Sequence, residues 1–458
     1  MIRHLFGFMF CVLSLLGAHT AHAESVGPAE FFDMAAIRDE GTLDTQISSD
    51  RIRASKVRPG KKVRVIELKF TSQNWHDLVW KHPARIYIPK DYKGGGNAGI
   101  FATARSFFDD PASPQLTIPG TTQNTEEQYA EATAIDLNLP IMVFSNPPED
   151  FMGLDENDLT GYALKKAVET GDLTWYSYVP ITTGYLRAIT LMHSLPGVET
   201  ERAMIMGCSK RGAAVSLATG VDPDRVAGIM SACYTGGNTL YGVAKQFAEF
   251  GPSVRGPENN RTGPGHMSAE ELLHTINNPF GLEIIKRFDP YIWRDQIKAK
   301  YFVVLGTNDQ FFALGAADSM MQELQGDKAF VALDNVRHTW VSPKHLAAWR
   351  MWLAHTFLDR PISKITAKGT EESGQLRVSA TLTSAPPPVA VKLYYSYNRY
   401  NRDWRAAKWE SVPMVSDSGS WRASLPTKDG HKLAYYVEVE DSGAGGAGYV
   451  SSLVEIHE

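Results

Sequence analysis

Cysteine is nearly missing from this chain, with three in 458 residues, and that scarcity excludes a small scaffold in which bridges replace a core. Long apolar runs are missing too. The most apolar stretch, Leu5 to Leu16, falls well short of the roughly 20 residues a helix needs to cross a bilayer core, so no membrane span is expected. Charge of one sign is not gathered anywhere: 46 basic and 51 acidic side chains give a formal net charge of -5. With no basic arm to neutralise phosphates, nucleic acid is not an expected partner. No His-Glu-x-x-His, paired Cys-x-x-Cys, ligand-spaced Asp/Glu cluster or phosphate-cradling glycine loop occurs. Neither a metal nor another cofactor is therefore expected.

What is present is the composition of a folded chain, 43% hydrophobic and 21% charged. The length exceeds what one core of about 250 to 300 residues supports, so one large unit and one small one are expected. Residues 1–23 carry Arg3 and His4, an apolar run, and Ala21-His22-Ala23 before Glu24. That is the pattern of a secretory signal peptide, and it implies export to the periplasm or the medium, with residues 24–60 as an N-terminal extension of the mature chain.

From 61 to 360 short β-branched or apolar runs alternate with helical patterns, the mark of an α/β unit with a mostly parallel sheet. Strands are expected at 85–88, 98–104, 140–145, 203–206, 226–231, 301–305 and 329–333, and helices at 179–194, 209–219 and 345–357. Beyond Asp359-Arg360-Pro361 the helical period vanishes. Alternating runs at 376–382, 390–397 and 433–439, separated by Gly, Pro, Ser and Asp, point to an all-β sandwich of the immunoglobulin or fibronectin kind over 361–458.

The strongest chemical signal is Met204-Ile205-Met206-Gly207-Cys208-Ser209-Lys210-Arg211-Gly212, a buried-strand run feeding a Gly-x-Ser turn and then the small residues Ala213-Ala214. It reads as the nucleophile elbow of an α/β-hydrolase fold, where small residues keep clear of a sharp strand-to-helix turn. Ser209 is then the nucleophile, and the backbone N–H of Lys210 an oxyanion donor. Arg211 stands where that motif usually has glycine, and the bland alternative is an ordinary turn with Ser209 capping a helix.

A serine hydroxyl needs a base, and the base an orienting acid. Asp309 follows the strand run 301–305, and His338 follows 329–333, in the chain order Ser, Asp, His of this fold. Asp334 is the rival acid and His345 the rival base. A second oxyanion donor is expected near Arg105 and Ser106. Cys208 and Cys233 stand at neighbouring strand ends, where one bridge and two buried free thiols are both open readings. The aromatic stretches Trp75 with Trp80 and His82, and Asp172 to Trp175, read as a pocket wall or as core. The acidic set Asp155, Glu156 and Asp158 reads as a solvated loop.

Together with these residues the chain carries Ser72-Gln73-x-Trp75, Trp80-x-His82, Thr170-Gly171-Asp172-x-Thr174-Trp175, Ser209-Lys210-Arg211-Gly212, Asp289-Pro290-Tyr291, Gly306-Thr307-Asn308-Asp309 and Asn401-Arg402-Asp403-Trp404-Arg405. In these it resembles the PhoPQ-activated pathogenicity-related protein family, a bacterial group with an α/β-hydrolase domain and no firmly assigned substrate. The resemblance implies that the serine of Ser-Lys-Arg-Gly, here Ser209, takes the nucleophile position, with Asp309 and His338 at the acid and histidine positions. A weaker likeness links Gly207-Cys208-Ser209-Lys210-Arg211-Gly212 to the Gly-Cys-Ser-Arg-x-Gly elbow of glucuronoyl esterases. The expectation is an exported, cofactor-independent serine hydrolase acting on a small ester or peptide substrate. The competing class is a secreted binding protein that retains the scaffold with an idle triad.

Overall fold

The structure, a computed structural model, describes residues 27–103, 124–148, 154, 156–251, 277–383, 387–398, 403–417 and 419–458. Three antiparallel strands come first, β1 (Gln46–Ala54), β2 (Lys62–Trp75) and β3 (Leu78–Pro89). They are followed by β4 (Asn97–Thr103), β5 (Ile141–Ser145), β6 (Arg202–Cys208), β7 (Val226–Ala232), β8 (Lys300–Gly306) and β9 (Lys328–Leu333), which run parallel in the order β5-β4-β6-β7-β8-β9. β5 joins this block to β3 by an antiparallel pairing.

The near-continuous apolar runs of the parallel strands follow from burial on both faces. Along β6, Ala203 and Ile205 pack into one core cluster while Met204 and Met206 pack into another, as the two-residue period of a strand requires. The first cluster is completed by helices α2 (Tyr178–Ser194) and α3 (Lys210–Val221), through Leu186, Ile189, Val215 and Leu217. The second is closed by α6 (Pro343–Phe357), whose Trp349, Trp352 and Leu353 meet Phe302 and Met230. α6 starts cleanly, since Ser342 accepts from the His345 backbone N–H and Pro343 fills the first turn. Helices α1 (Glu156–Thr170), α4 (Thr239–Phe250) and α5 (Pro279–Phe288) lie in chain order around these, near the carboxyl ends of the strands or on their crossovers.

The C-terminal part contains β10 (Lys364–Glu372), β11 (Gln375–Thr383), β12 (Ala390–Asn398), β13 (Glu410–Pro413), β14 (Val415–Asp417), β15 (Ser420–Pro426), β16 (Lys432–Gly443), β17 (Gly446–Ser451) and β18 (Glu455–His457). β10, β11, β15 and β14 form a separate sheet that packs on β12 and β16 through Leu376, Val378, Leu393 and Val437. The opposing sheet is not separate. β17 pairs with β9 at Ser451 and Phe330, so β16, β12 and β13 continue the large sheet into a 14-stranded one. The expected mostly parallel sheet is thus mixed, because antiparallel strands extend it at both edges. The chain is an α/β protein in which the β-rich part shares the main sheet.

Candidate functional site

β6 ends at Cys208 and α3 begins at Lys210, leaving Ser209 alone in the turn with φ 60° and ψ -120°. For a residue with a Cβ that conformation is strained by on the order of 1–3 kcal/mol, and it persists only where the surroundings hold it. They do: the Ser209 N–H donates to the Ala232 carbonyl at 2.9 Å, and its own carbonyl accepts from the Ala213 N–H at 3.0 Å. The ordinary cap reading does not fit, since a cap residue is extended and accepts with its side chain, whereas Ser209 makes no side-chain cap bond.

The glycines explain the turn's sequence. A Cβ on Gly207 would fall on the Arg211 backbone, and one on Gly212 would stand 2.8 Å from the Ala232 carbonyl oxygen. Residue 212, rather than residue 211, therefore faces the end of β7. Arg211 turns the other way, 7% exposed, and donates to Glu156 Oε2 at 2.8 Å and to the Asn146 carbonyl at 3.2 Å. Glu156 also lies 3.9 Å from the Lys210 ammonium. The expected solvated acidic loop is thus wrong at Glu156, which starts α1 and pairs with a guanidinium that could not be buried alone. Asp155 is outside the described residues.

Asp309 and His338, brought by the loops after β8 and β9, meet directly: His338 Nδ1 lies 2.7 Å from Asp309 Oδ2. The other carboxylate oxygen of Asp309 accepts from the backbone N–H groups of Phe311 and Phe312 at 2.8 and 3.0 Å. Asp309 is 3% exposed. The aromatic rings of Phe311 and Phe312 stand 4.7 and 5.8 Å from the imidazole, and Gln310 Oε1 accepts from the His338 N–H at 3.0 Å. A carboxylate at Nδ1 places the proton there and leaves Nε2 as the acceptor. Ser209 sits on the same carboxyl edge of the parallel block, at the end of β6. Among the described residues its hydroxyl takes no hydrogen-bond partner.

The rivals are placed elsewhere. Asp334 accepts from the Lys344 ammonium at 2.7 Å. His345 is fully buried against Ser342 Oγ at 2.8 Å, and burial pushes its pKa down to about 3. His82 is held between the Ser145 carbonyl at 2.7 Å and Ser72 Oγ at 2.8 Å, its pKa lowered by burial to about 4. Trp75 and Trp80 are core, packed edge to face at 5.8 Å; Trp75 donates to the Thr174 carbonyl at 2.8 Å, which ties two of the aromatic motifs together.

Cys208 and Cys233, with Cα atoms 5.0 Å apart, meet in disulfide geometry beside Ser209. Sequence reasoning missed the bracing of the acid and histidine loops by the C-terminal strands. Asn308 Nδ2 donates to the carbonyls of Ala407 and Trp404 at 2.6 and 3.2 Å. Asn335 exchanges bonds of 3.0 and 2.9 Å with the Trp409 backbone, and Lys344 reaches Glu438 at 2.8 Å. The turn-like Asn308-Asp309 and Asp334-Asn335 were the only hint, and their partners lie about a hundred residues away. Arg105, Ser106 and residues 1–26 are outside the described residues. Among the described residues no helix is long and apolar enough to cross a membrane, and no cluster of three or more His, Cys, Asp or Glu is arranged to hold a metal ion.

Solved structures similar to this chain include acetyl xylan esterase 1 from Thermoanaerobacterium sp., 15% identical, covering 68% of this chain and 89% of its own at a TM-score of 0.40. A glucuronoyl esterase from Solibacter usitatus is 14% identical, covers 69% and 85%, and has a TM-score of 0.40. Another from Teredinibacter turnerae is 12% identical, covers 71% and 83%, and has a TM-score of 0.42. Likeness at this level does not bear on activity. Autocrine proliferation repressor protein A from Dictyostelium discoideum is 26% identical over 262 residues, 54% of this chain, and the chain spans 49% of that relative's length. The model of PhoPQ-activated pathogenicity-related proteins matches residues 45–405, and the chain belongs to that family.

Proposed function

We propose that the protein is a serine hydrolase of the α/β-hydrolase fold, cleaving an ester or peptide bond through an acyl-enzyme. The observation that carries this reading is the strained Ser209 at the head of α3, on the same sheet edge as a preformed Asp309–His338 pair. Ser209 Oγ attacks the substrate carbonyl as its proton passes to His338 Nε2. The Lys210 N–H, at the positive end of α3, supports the oxyanion. Collapse expels the leaving group, which takes the proton from His338, and water then repeats the sequence on the acyl-enzyme. Asp309 fixes the tautomer and offsets the imidazolium that forms.

In this reading residues 61–360 form the catalytic unit, and residues 361–458 brace its acid and histidine loops through Asn308, Asn335 and Lys344. Residues 1–23 direct export, and disulfide geometry at Cys208 and Cys233 suits an oxidising compartment.

The test is steady-state hydrolysis of 4-nitrophenyl acetate and of an aminoacyl 4-nitroanilide by residues 24–458, beside Ser209→Ala and His338→Ala. Either variant should lose more than about a thousandfold in kcat. Turnover that survives in Ser209→Ala would remove the serine from the mechanism.

A further inference from the structure

A cavity of about 260 Å³ opens at Ala213, one helical turn along α3 from the proposed nucleophile. It reaches α3 at Ala213, whose N–H bonds the Ser209 carbonyl. It reaches the acid loop at Phe312, whose ring stands 5.8 Å from that of His338 and whose N–H holds Asp309. Tyr234, one residue past Cys233, joins the two walls: its Cβ would lie 2.9 Å from a Cβ on Gly212, and its ring packs edge on to Phe312 at 5.8 Å.

The lining is apolar and aromatic, from Phe288, Ile284, Ile285 and Val243. Tyr176 and Tyr178 pack edge to face at 5.0 Å on one side, with Tyr176 also 5.0 Å from Phe288. Among the described residues no lysine or arginine lines it. The one carboxylate among the described lining residues, Asp289, is 4% exposed and already committed: Oδ1 accepts from Asn238 and Tyr291 N–H at 2.8 and 3.0 Å, and Oδ2 from Thr239 N–H at 2.6 Å. By contrast Tyr176, Tyr178 and Tyr234 line the cavity, and among the described residues their hydroxyls have no protein hydrogen-bond partner.

We infer, resting on the hydrolase reading, that this cavity holds the acyl side of the substrate, and that the group it takes is uncharged and ring-sized, with an oxygen for the tyrosine hydroxyls. An apolar cavity of about 150 Å³ already admits a benzene ring, so this one holds an aryl ring with a short linker. Among the described lining residues an anionic acyl group finds no cation. Hydroxyls with no protein partner are open to donate to a ligand oxygen. Burial raises all three phenols, Tyr178 to about 12, so they stay neutral donors at ordinary pH.

The test compares 4-nitrophenyl acetate, 3-phenylpropanoate and the succinate monoester, which share a leaving group. The phenylpropanoate kcat/KM should exceed the acetate value at least tenfold, and the succinate value should fall below it. Gly242 lines the cavity and a Cβ there meets nothing within 4 Å, so Gly242→Leu fills the space and should lower the phenylpropanoate-to-acetate ratio at least tenfold. The wild-type ratio stands even if that variant folds poorly. In parallel, 3-phenylpropanamide should raise the unfolding midpoint where acetamide does not. Turnover with no aryl preference overturns the acyl pocket and leaves the hydrolase reading intact. Amide binding with no turnover of any ester removes the hydrolase reading and the acyl role with it. The absence of both the aryl preference and amide binding overturns the cavity as a ligand site.

Discussion

Asn308, the residue before Asp309, donates its side-chain amide to the carbonyl oxygen of Ala407 at 2.6 Å, a bond between the acid loop and the β-rich C-terminal part. The same amide reaches the Trp404 and Arg405 carbonyls at 3.2 and 3.3 Å. Asn308→Ala therefore removes the side-chain donor from the half-buried Arg405 and Ala407 carbonyls, while Trp404 keeps the Ala407 N–H, and should cost about 1 kcal/mol. If the C-terminal strands position the acid, acyl-ester kcat should fall about tenfold or more with little change in KM. A stability loss with unchanged kcat would make the brace purely structural.

The Arg211–Glu156 pair makes a second prediction. Arg211 is buried and, among the described residues, Glu156 is its carboxylate partner, in a salt bridge at 2.8 Å. Glu156→Gln should destabilise the protein by about 1–3 kcal/mol, since it leaves a guanidinium out of water with a weaker acceptor. Urea unfolding measures it, and no change in midpoint would contradict the pairing.

The turn at Ser209 leaves no room for side chains at its flanks. Gly212→Ala sets a Cβ 2.8 Å from the Ala232 carbonyl and should cost about 1–3 kcal/mol through forced backbone shifts. It should also suppress ester turnover more than its stability loss explains, because the nucleophile moves. Gly242→Ala, with open space at its Cβ, is the matched control for folding.

Acid should destabilise the protein through His82 and His345. Burial lowers their folded pKa values to about 4 and about 3, below the ordinary imidazole value of about 6.5. Between those limits the unfolded chain binds more protons than the folded one, so stability falls as pH drops from about 6.5 towards 4. Each histidine should contribute a loss on the order of 2–4 kcal/mol by pH 4. Thermal unfolding of His345→Gln should show a shallower pH dependence over that window, and an identical slope would contradict the burial argument.

The block from β4 to β9, with α2, α3 and α6, was legible because strands buried on both faces are apolar throughout and the helices repeat apolar residues at helical spacing. The positions of Ser209, Asp309 and His338 were legible for the same reason: each follows a strand the sequence marks. β1 to β3 were mostly missed, since β1 is exposed along nearly its whole length and gives no period. The joining of β17 to β9 rests on a single register pair, Ser451 with Phe330, and no local pattern encodes a partner more than a hundred residues away. Arg211 looked like a flaw in the glycine motif. Its reason is Glu156, 55 residues earlier in the chain.

The most direct test of the central claim is labelling of residues 24–458 with a fluorophosphonate, read by intact mass and peptide mapping. The account predicts one adduct per chain, on Ser209, lost in Ser209→Ala and strongly slowed in His338→Ala and Asp309→Asn. A folded protein that takes no label, or that labels at a residue other than Ser209, would contradict it.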